Sequence, residues 1–207
     1  MSRAIRLALV SLVMLALVNE SALAQRRGIV DVSPGHFRRG FWLEGGIGWG
    51  EESYKLAPDG YTETLGKPTL SLGLGGTVNP HLRLGGEVTA WWNQTQLDDG
   101  TDITDVTEYL TEILAVARFY PGRDLGLYLK GGAGLGISGT DGEFVEGVSE
   151  TGFATVLGLG YEIKVSRSVF ITPTVNYYFN RFEKRNEPTL YERLWNVGVG
   201  VTWQLGR

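Results

Sequence analysis

His36 and His81 are the two histidines of the 207-residue chain, and an imidazole base would have to be one of them. His36 precedes the first predicted strand, and His81 falls in a predicted turn. A serine–histidine–acid triad needs hydrogen-bond contact among its members, and neither position favours one. The absence of cysteine removes disulfide and thiolate chemistry. The sequence therefore favours a protein that is not an enzyme and has no cofactor, with a lipid-modifying enzyme as the weakest alternative.

Charged side chains crowd several segments that otherwise look like loops. Carboxylates on a flexible loop can bind calcium, but their spacing here does not match an EF-hand, so solvated loops are the favoured interpretation. A later cluster of cations could contact phosphate groups, although a solvated loop is again the simpler interpretation. The acidic clusters are Asp98, Asp99, Asp102 and Asp105, then Asp141, Glu143 and Glu146; the cations are Arg181, Lys184 and Arg185.

A second group of charges lies inside segments of strand-like alternation, always on the polar parity. If that parity faces a narrow interior, unpaired charges would be very costly, so these side chains should pair with one another. We predict no metal or catalytic site among them, only a charge network. Its members are Glu44, Arg83, Glu87, Glu112, Arg118, Lys130, Glu162 and Lys164.

The elements that would position these charges are eight stretches with an apolar–polar period of two, the period of a β-strand. No segment after the N-terminus approaches the length of an apolar membrane helix. The chain has thirty glycines, and many of those within these stretches lie on the polar parity, where a narrow interior has little room for side chains. The predicted strands are 40–50, 68–78, 82–93, 107–120, 125–138, 151–164, 169–180 and 189–205.

The connections between strands separate two architectures that share this period. Residues 79–81, 121–124 and 165–168 are short and rich in turn residues. The intervening connections, 51–67, 94–106, 139–150 and 181–188, are longer and polar. A strict short–long alternation around an even number of strands is typical of outer-membrane barrels, whereas a soluble sandwich has no reason for it. The apolar face would then contact lipid.

Aromatic residues on the apolar parity support the same arrangement. Under this topology they form two groups, one near each end of the strands, as expected for the two membrane interfaces. The group near the short turns is Phe41, Phe119, Tyr161 and Trp203. The group near the long connections is Trp49, Trp92, Tyr109, Phe153, Tyr177, Phe179 and Trp195.

The N-terminus predicts export. Arg3 and Arg6 precede an apolar run over 7–18, and Ala22-Leu23-Ala24 provides small residues before a cleavage site. We predict a signal peptide over 1–24, a periplasmic tail over 25–39 and a barrel over 40–207, with both termini in the periplasm. The net charge of −4 gives no reason to expect nucleic acid as a partner.

Several segments resemble the small eight-stranded outer-membrane barrels of the OmpA transmembrane domain and OmpX type. The resemblance spans about 40–205 and is architectural. It implies an all-β, antiparallel up-and-down transmembrane barrel in contact with outer-membrane lipid, lipopolysaccharide and the outer-membrane assembly machinery. It is carried by Phe119-Tyr120-Pro121, by 130–136 (KGGAGLG), by 171–179 (ITPTVNYYF) and by 196–203 (NVGVGVTW).

Within such a barrel, we expect Glu87 and Lys130 to lie at the same height, with Glu112 and Arg118 on the strand between them. Arg83 and Glu162 would extend the network towards the periplasm. The favoured function is a structural or surface-interaction role through the extracellular loops, whose partner the sequence does not name. The alternative is a narrow channel or carrier for small, even hydrophobic, solutes.

Overall fold

The computed structural model describes residues 38–56, 62–98, 103–123, 125–142, 145–183 and 189–205. Nine strands are present in these ranges. Within them, no helix is long and apolar enough to cross a membrane. The strands are β1 (Phe41–Leu56), β2 (Thr62–Asn79), β3 (Leu82–Asp98), β4 (Ile103–Phe119), β5 (Leu127–Gly142), β6 (Val145–Tyr161), β7 (Ile163–Lys164), β8 (Val169–Phe182) and β9 (Leu190–Leu205).

The strands close into an eight-stranded antiparallel barrel, which confirms the predicted fold. Each strand from β1 to β6 pairs with the next, β1 also pairs with β9, and β8 joins β9 to β6. The two-residue β7 continues β6 beyond Glu162 and pairs with β8, so the pair forms one wall of the barrel. The ladder closes around the barrel, as a lipid-embedded sheet requires. Towards the loop end, β2 pairs with β3 only as far as Thr69, and β6 pairs with β8 only from Phe153.

The structure has the predicted alternation, with apolar side chains on the outer face of the barrel. Phe41, Leu43, Ile47 and Trp49 of β1 are exposed, while Trp42 and Glu44 between them are buried. The same alternation runs through every long strand. Because apolar atoms cover the outer surface, the barrel is inverted relative to a soluble sandwich.

The two ends of the barrel differ. At one end, here called the turn end, the strands are joined through 80–81, 120–126 and 165–168. At the other, the loop end, the strands run further than predicted. β1 continues to Leu56 and β5 to Gly142, so the first three predicted long connections are largely strand. The segments that separate the strands at this end are 57–61, 99–102, 143–144 and 183–189.

The extension has a physical reason. Outward side chains become charged at Glu51, Arg181 and Arg193, each two residues beyond an aromatic residue of the loop-end girdle. Beyond this level the outer face meets water rather than lipid, so the apolar alternation stops although backbone pairing continues. The apolar–polar alternation in the sequence therefore ends before the strands themselves end.

Candidate functional site: the filled lumen and the acidic loop end

The turn end of the lumen is closed by a buried ion pair. Arg83 Nη1 on β3 donates to Glu162 Oε1 at 2.5 Å, and both side chains are almost fully buried. Tyr120 donates its hydroxyl to the same carboxylate oxygen at 2.7 Å. Arg83 Nη2 also donates to Gln204 Oε1 at 3.1 Å. These bonds join three walls of the barrel across its interior.

Arg38, which the sequence analysis placed in the tail, belongs to this layer. Its Nε lies 3.3 Å from Glu162 Oε2, and its guanidinium carbon lies 3.6 Å from the centre of the Tyr120 ring. The guanidinium also donates to the backbone carbonyls of Gly122, Arg123 and Leu125. The apolar–polar alternation does not identify Arg38 as an interior residue, because Arg38 precedes the first strand.

A second pair lies deeper in the barrel. Arg118 on β4 binds Glu44 on β1 through two parallel hydrogen bonds, Nη1 to Oε2 at 2.8 Å and Nη2 to Oε1 at 2.7 Å. Thr202 donates to the same carboxylate. The guanidinium also stacks over Trp42, 4.3 Å from the ring centre. The planar fork of arginine matches a carboxylate in this way, whereas lysine would not.

A third pair links β3 to β5. Lys130 Nζ donates to Glu87 Oε1 at 2.7 Å and to Oε2 at 2.9 Å, although β4 separates the two strands. Tyr178 on β8 donates to Glu87 Oε1 at 3.1 Å. Arg118 Nη2 lies 3.8 Å from Glu87 Oε2 and so connects the second pair to the third.

The surroundings of Glu112 and Lys164 differ from those of the other six residues of the predicted network. Glu112 is fully buried, but its recorded hydrogen bond comes from the Asn180 amide at 3.2 Å, and its Oε2 has no hydrogen-bond partner. The expectation that Glu112 joins a four-residue cluster with Glu87, Lys130 and Arg118 is therefore not met by its contacts. Lys164 lies in β7 near the turn end and is partly exposed.

An apolar layer begins beside the ion pairs, where Trp42 stacks on Arg118, and continues above them. Leu114 and Val116 share the inward parity of β4 with Glu112 and Arg118, and both are buried. They pack in a cluster of large side chains drawn from most walls of the barrel. Such close packing leaves little room for water between the two ends. The other members of the cluster are Trp42, Trp91, Leu110, Ala154, Val156, Tyr178, Phe182 and Leu194.

Between this layer and the loop end lies a cavity of about 270 Å³. Four glutamates line it: Glu52 of β1, Glu108 of β4, Glu150 of β6 and Glu192 of β9. Glu192 receives a hydrogen bond from the Ser138 hydroxyl at 2.7 Å, which spans from β5 to β9. The cavity is therefore a carboxylate-rich cup enclosed by strands on several sides. We call it the acidic cup.

Two glutamates of the acidic cup have strongly perturbed acidity. Both lie three residues beyond the loop-end girdle at Trp49 and Trp195, outside the lipid-embedded part of the strands. Burial, followed by repulsion from Glu192, raises the pKa of Glu52 to about 9. Burial also raises the pKa of Glu192 to about 7, and the Glu150 and Glu108 carboxylates add to the rise. The cause is desolvation together with like charges.

Within the described ranges, the other sequence candidates are absent from the lining of the acidic cup. His81, in the β2–β3 turn, has its Nδ1 2.8 Å from the Tyr120 carbonyl. Asp98 ends β3, whereas Asp105 lies in β4 and Asp141 in β5. Among the described residues, no group of three histidine or carboxylate side chains could hold one metal ion. His36, Asp99, Asp102, Glu143, Lys184 and Arg185 fall outside the described residues.

The comparison with protein families decides the class. The outer membrane protein beta-barrel domain matches residues 10–202. The chain belongs to this family. It is accordingly a protein of the cell outer membrane, in a family of barrels that are generally not enzymes. No curated protein matches the chain.

Solved structures show the same fold. Ail, the attachment invasion locus protein of Yersinia pestis, was solved in complex with the heparin analogue sucrose octasulfate. It shares 19% identity over 79% of this chain and 99% of its own, with a TM-score of 0.51. Neisserial surface protein A shares 17% identity over 80% of this chain and 97% of its own, with a TM-score of 0.53. At these identities the likeness concerns the fold alone.

Proposed function

We propose that this barrel is a non-enzymatic surface protein that acts through its loop end, with a lumen closed to solutes. The observation that carries this is the filled interior. Four buried cations (Arg38, Arg83, Arg118 and Lys130) and three buried carboxylates (Glu44, Glu87 and Glu162) occupy the turn-end half. A passage for solutes would have to displace these pairs, and each unpaired charge would be costly to leave buried.

The space left inside supports the same conclusion. Beside Glu44, the cavity that reaches Asn196 and Thr69 has a volume of about 10 Å³. This volume is close to that of one water-sized probe. The cup at the loop end is much larger, but the apolar cluster that includes Trp91, Leu110 and Leu194 underlies it. A ligand entering from the loop side would therefore meet a floor rather than a channel.

A narrow channel or carrier is the second candidate. It is favoured by buried polar atoms that have no hydrogen-bond partner, such as Glu112 Oε2, Asn180 Oδ1 and Tyr128 Oη. Such atoms are usually satisfied by water, so a carrier would have polar positions for water on β4, β5 and β8. Liposome swelling with a small sugar separates the two functions. The closed barrel should give no swelling above that of empty liposomes, whereas a carrier should.

In the cell, we propose that the loop end faces outward and that both termini lie in the periplasm. The exposed apolar belt would contact lipid and lipopolysaccharide, and the outer-membrane assembly machinery would insert the barrel. We further propose that the signal over 1–24 is removed, so that the mature chain starts at Gln25. N-terminal sequencing of protein from the outer membrane should find Gln25; retention of Met1 would contradict export by cleavage.

Cysteine labelling tests the orientation, since the chain has no cysteine of its own. Glu183 is exposed just beyond β8 at the loop end, and Ser166 is exposed in the β7–β8 turn. A membrane-impermeant maleimide should label Glu183→Cys on intact cells but label Ser166→Cys only after lysis. Labelling of Ser166→Cys on intact cells, with Glu183→Cys protected, would show that the turn end faces outward and would overturn the proposed surface role.

A further inference from the structure

We propose that the acidic cup is a binding site for an organic cation, a primary amine or guanidinium group carried on a short aliphatic chain. The binding site itself is a property of the folded barrel. Its access from outside the cell rests on the proposed function, which sets the loop end outward. The ligand class follows from the shape of the cup, its unsatisfied acceptor and its charge.

The shape of the cup fits a small organic ion. Its volume of about 270 Å³ lies just below the usual range for ligand pockets, so only a small ligand would fit. Trp91 and Leu190 supply apolar surface among the lining residues, so an aliphatic chain could lie against them while its charged end meets the carboxylates. Glu108 and Glu150 are partly exposed, which leaves the cup accessible from the loop side.

The second observation is a buried acceptor without a donor. Glu192 is 4% exposed; its Oε1 accepts from Ser138, but its Oε2 has no hydrogen-bond partner. A buried carboxylate oxygen in this state is costly, because it has lost water without gaining a donor. After a small rotation of the Glu192 carboxylate towards the cup, an ammonium or guanidinium N–H placed there would satisfy this oxygen with a charge-assisted bond.

The charge of the cup sets the sign of the ligand. The buried lysine and arginines of the described chain (Arg38, Arg83, Arg118 and Lys130) all lie in the turn-end half, where they are paired. The groups that face the cup are Glu52 from β1, Glu108 from β4, Glu150 from β6 and Glu192 from β9, with Glu112 of β4 below them. No lysine or arginine is among the residues that line the cup, so an anionic ligand would find no charged partner there.

The carboxylates are also arranged for an extended ion rather than for a metal. Among the described residues, no three of them come close enough to share one metal ion. They are spread around the cup on four strands. A ligand whose charged group contacts one or two carboxylates, with its chain spanning the remaining space, fits that spread better than a single coordinated cation.

Binding a cation should release protons. Glu52 and Glu192 hold protons more tightly than ordinary carboxyls because they are buried beside like charges. A bound cation favours their ionised forms, so protons must leave as the ligand enters. This coupling distinguishes a ligand inside the cup from one that sticks to the barrel surface.

Titration calorimetry of the folded full-length protein in a zwitterionic detergent tests the proposal. Agmatine, which carries a guanidinium and an amine on a butyl chain, is the probe, and butylurea is its uncharged counterpart. The variants are Glu192→Gln and Glu52→Gln; Glu183→Gln is the matched control, since it removes an exposed glutamate outside the cup. Each protein is first shown to migrate as a folded barrel on an unheated gel.

Agmatine should bind once per barrel, and repeating the titration near neutral pH in buffers of different ionisation enthalpy should show release of protons. Glu192→Gln and Glu52→Gln should each weaken binding about tenfold or more, because each removes one charge from a buried contact. Glu183→Gln should bind as wild type does, and butylurea should not bind. If one cup variant fails to fold, the affinity of the other variant for agmatine tests the proposal.

Three results would overturn the proposal. They are no binding at about 10 mM agmatine, the weakest range that the method resolves; equal affinity in wild type and both cup variants; or stoichiometric binding of Mg²⁺ that displaces agmatine, which would make the cup a metal site. None of these results depends on solute flux or orientation. Failure of the cup as a site is therefore distinguishable from failure of the surface role.

Discussion

Lys130 and Glu87 show how buried charges are retained in this lumen. Each is nearly inaccessible, and the bond between them spans two strands that are not neighbours. Removing one partner leaves the other charged in a low-dielectric interior, which costs about 3–5 kcal/mol in comparable cases. Glu87→Gln and Lys130→Met should therefore each destabilise the barrel, and the double variant should cost less than the sum of the two. Urea unfolding in lipid vesicles measures all three.

The control for this comparison of single and double variants is Glu87→Gln combined with Glu183→Gln. Glu183 pairs with Arg181 on the exposed surface, so its loss should be small and should add independently to that of Glu87. Additive costs for Glu87 and Lys130 would contradict direct coupling. The barrel fold would remain, but the pair would no longer explain how the lumen is closed.

Glu192 should make the stability of the folded barrel depend on pH, and its environment sets the direction of that dependence. The pKa of its folded-state carboxyl rises to about 7, mainly through burial, so the folded protein binds more protons than the unfolded chain above about pH 4.3. Stability should fall as pH rises from there through about 7. Glu192→Gln keeps an acceptor for Ser138 and removes the charge, so it should gain about 1–2 kcal/mol at pH 8 relative to wild type.

The measurement is unfolding free energy against pH for wild type, Glu192→Gln and Glu183→Gln. The wild-type decline should continue above pH 7, because burial and repulsion raise the pKa of Glu52 to about 9. Glu183→Gln should follow wild type. A Glu192→Gln curve parallel to wild type between pH 5 and 8 would show that this carboxyl has no unusual acidity.

At the scale of a strand, β2 gives the clearest test of the lipid face. Leu72 is 56% exposed, and it lies midway between the residues paired with Trp49 and Phe41, which belong to opposite girdles. Leu72→Arg should destabilise by about 2–4 kcal/mol, as for a cation at the bilayer midplane. Gln94→Arg, two residues beyond Trp92 on the outer face of β3, should cost about 0–1 kcal/mol. Equal costs would contradict the assigned membrane level.

Two adjacent glycines of β5 test which positions of the strand face the lumen and which face the outer surface. A Cβ at Gly131 would meet nothing within 4 Å, whereas one at Gly132 would approach the Ala115 carbonyl and a Val116 methyl at under 3 Å. Gly131→Ala should be neutral or gain up to about 1 kcal/mol. Gly132→Ala should cost about 1–3 kcal/mol through overpacking. Unfolding in vesicles compares the two, and a reversed order would contradict the strand register.

The alternation made much of this predictable, because a strand sends successive side chains to opposite faces. It identified Glu44, Arg118 and Glu162 as residues facing the interior. It could not assign the partner of Glu112, since relative heights across a barrel depend on the shear, which no single strand encodes. Tyr120 and Tyr178 are uncharged, so the need to pair buried charges does not identify them, although the inward parity of Tyr178 indicates that it faces the interior.

At the scale of the whole molecule, charge is divided along the axis. The turn-end half pairs four cations with three carboxylates, while the acidic cup lies above an apolar layer. The two ends of the lumen therefore differ in sign: the turn-end half holds the buried cations, and the loop end holds the carboxylates of the acidic cup.

The central claim is that the lumen is closed, and single-channel recording in planar bilayers tests it most directly. Wild-type barrel, shown to be inserted, should give no steady conductance, because ion pairs and an apolar layer fill the interior. The Glu87→Gln, Lys130→Met double variant, which removes one of the three pairs, should leak more than wild type. Large, steady conductance of the wild-type protein would contradict the account and establish a channel instead.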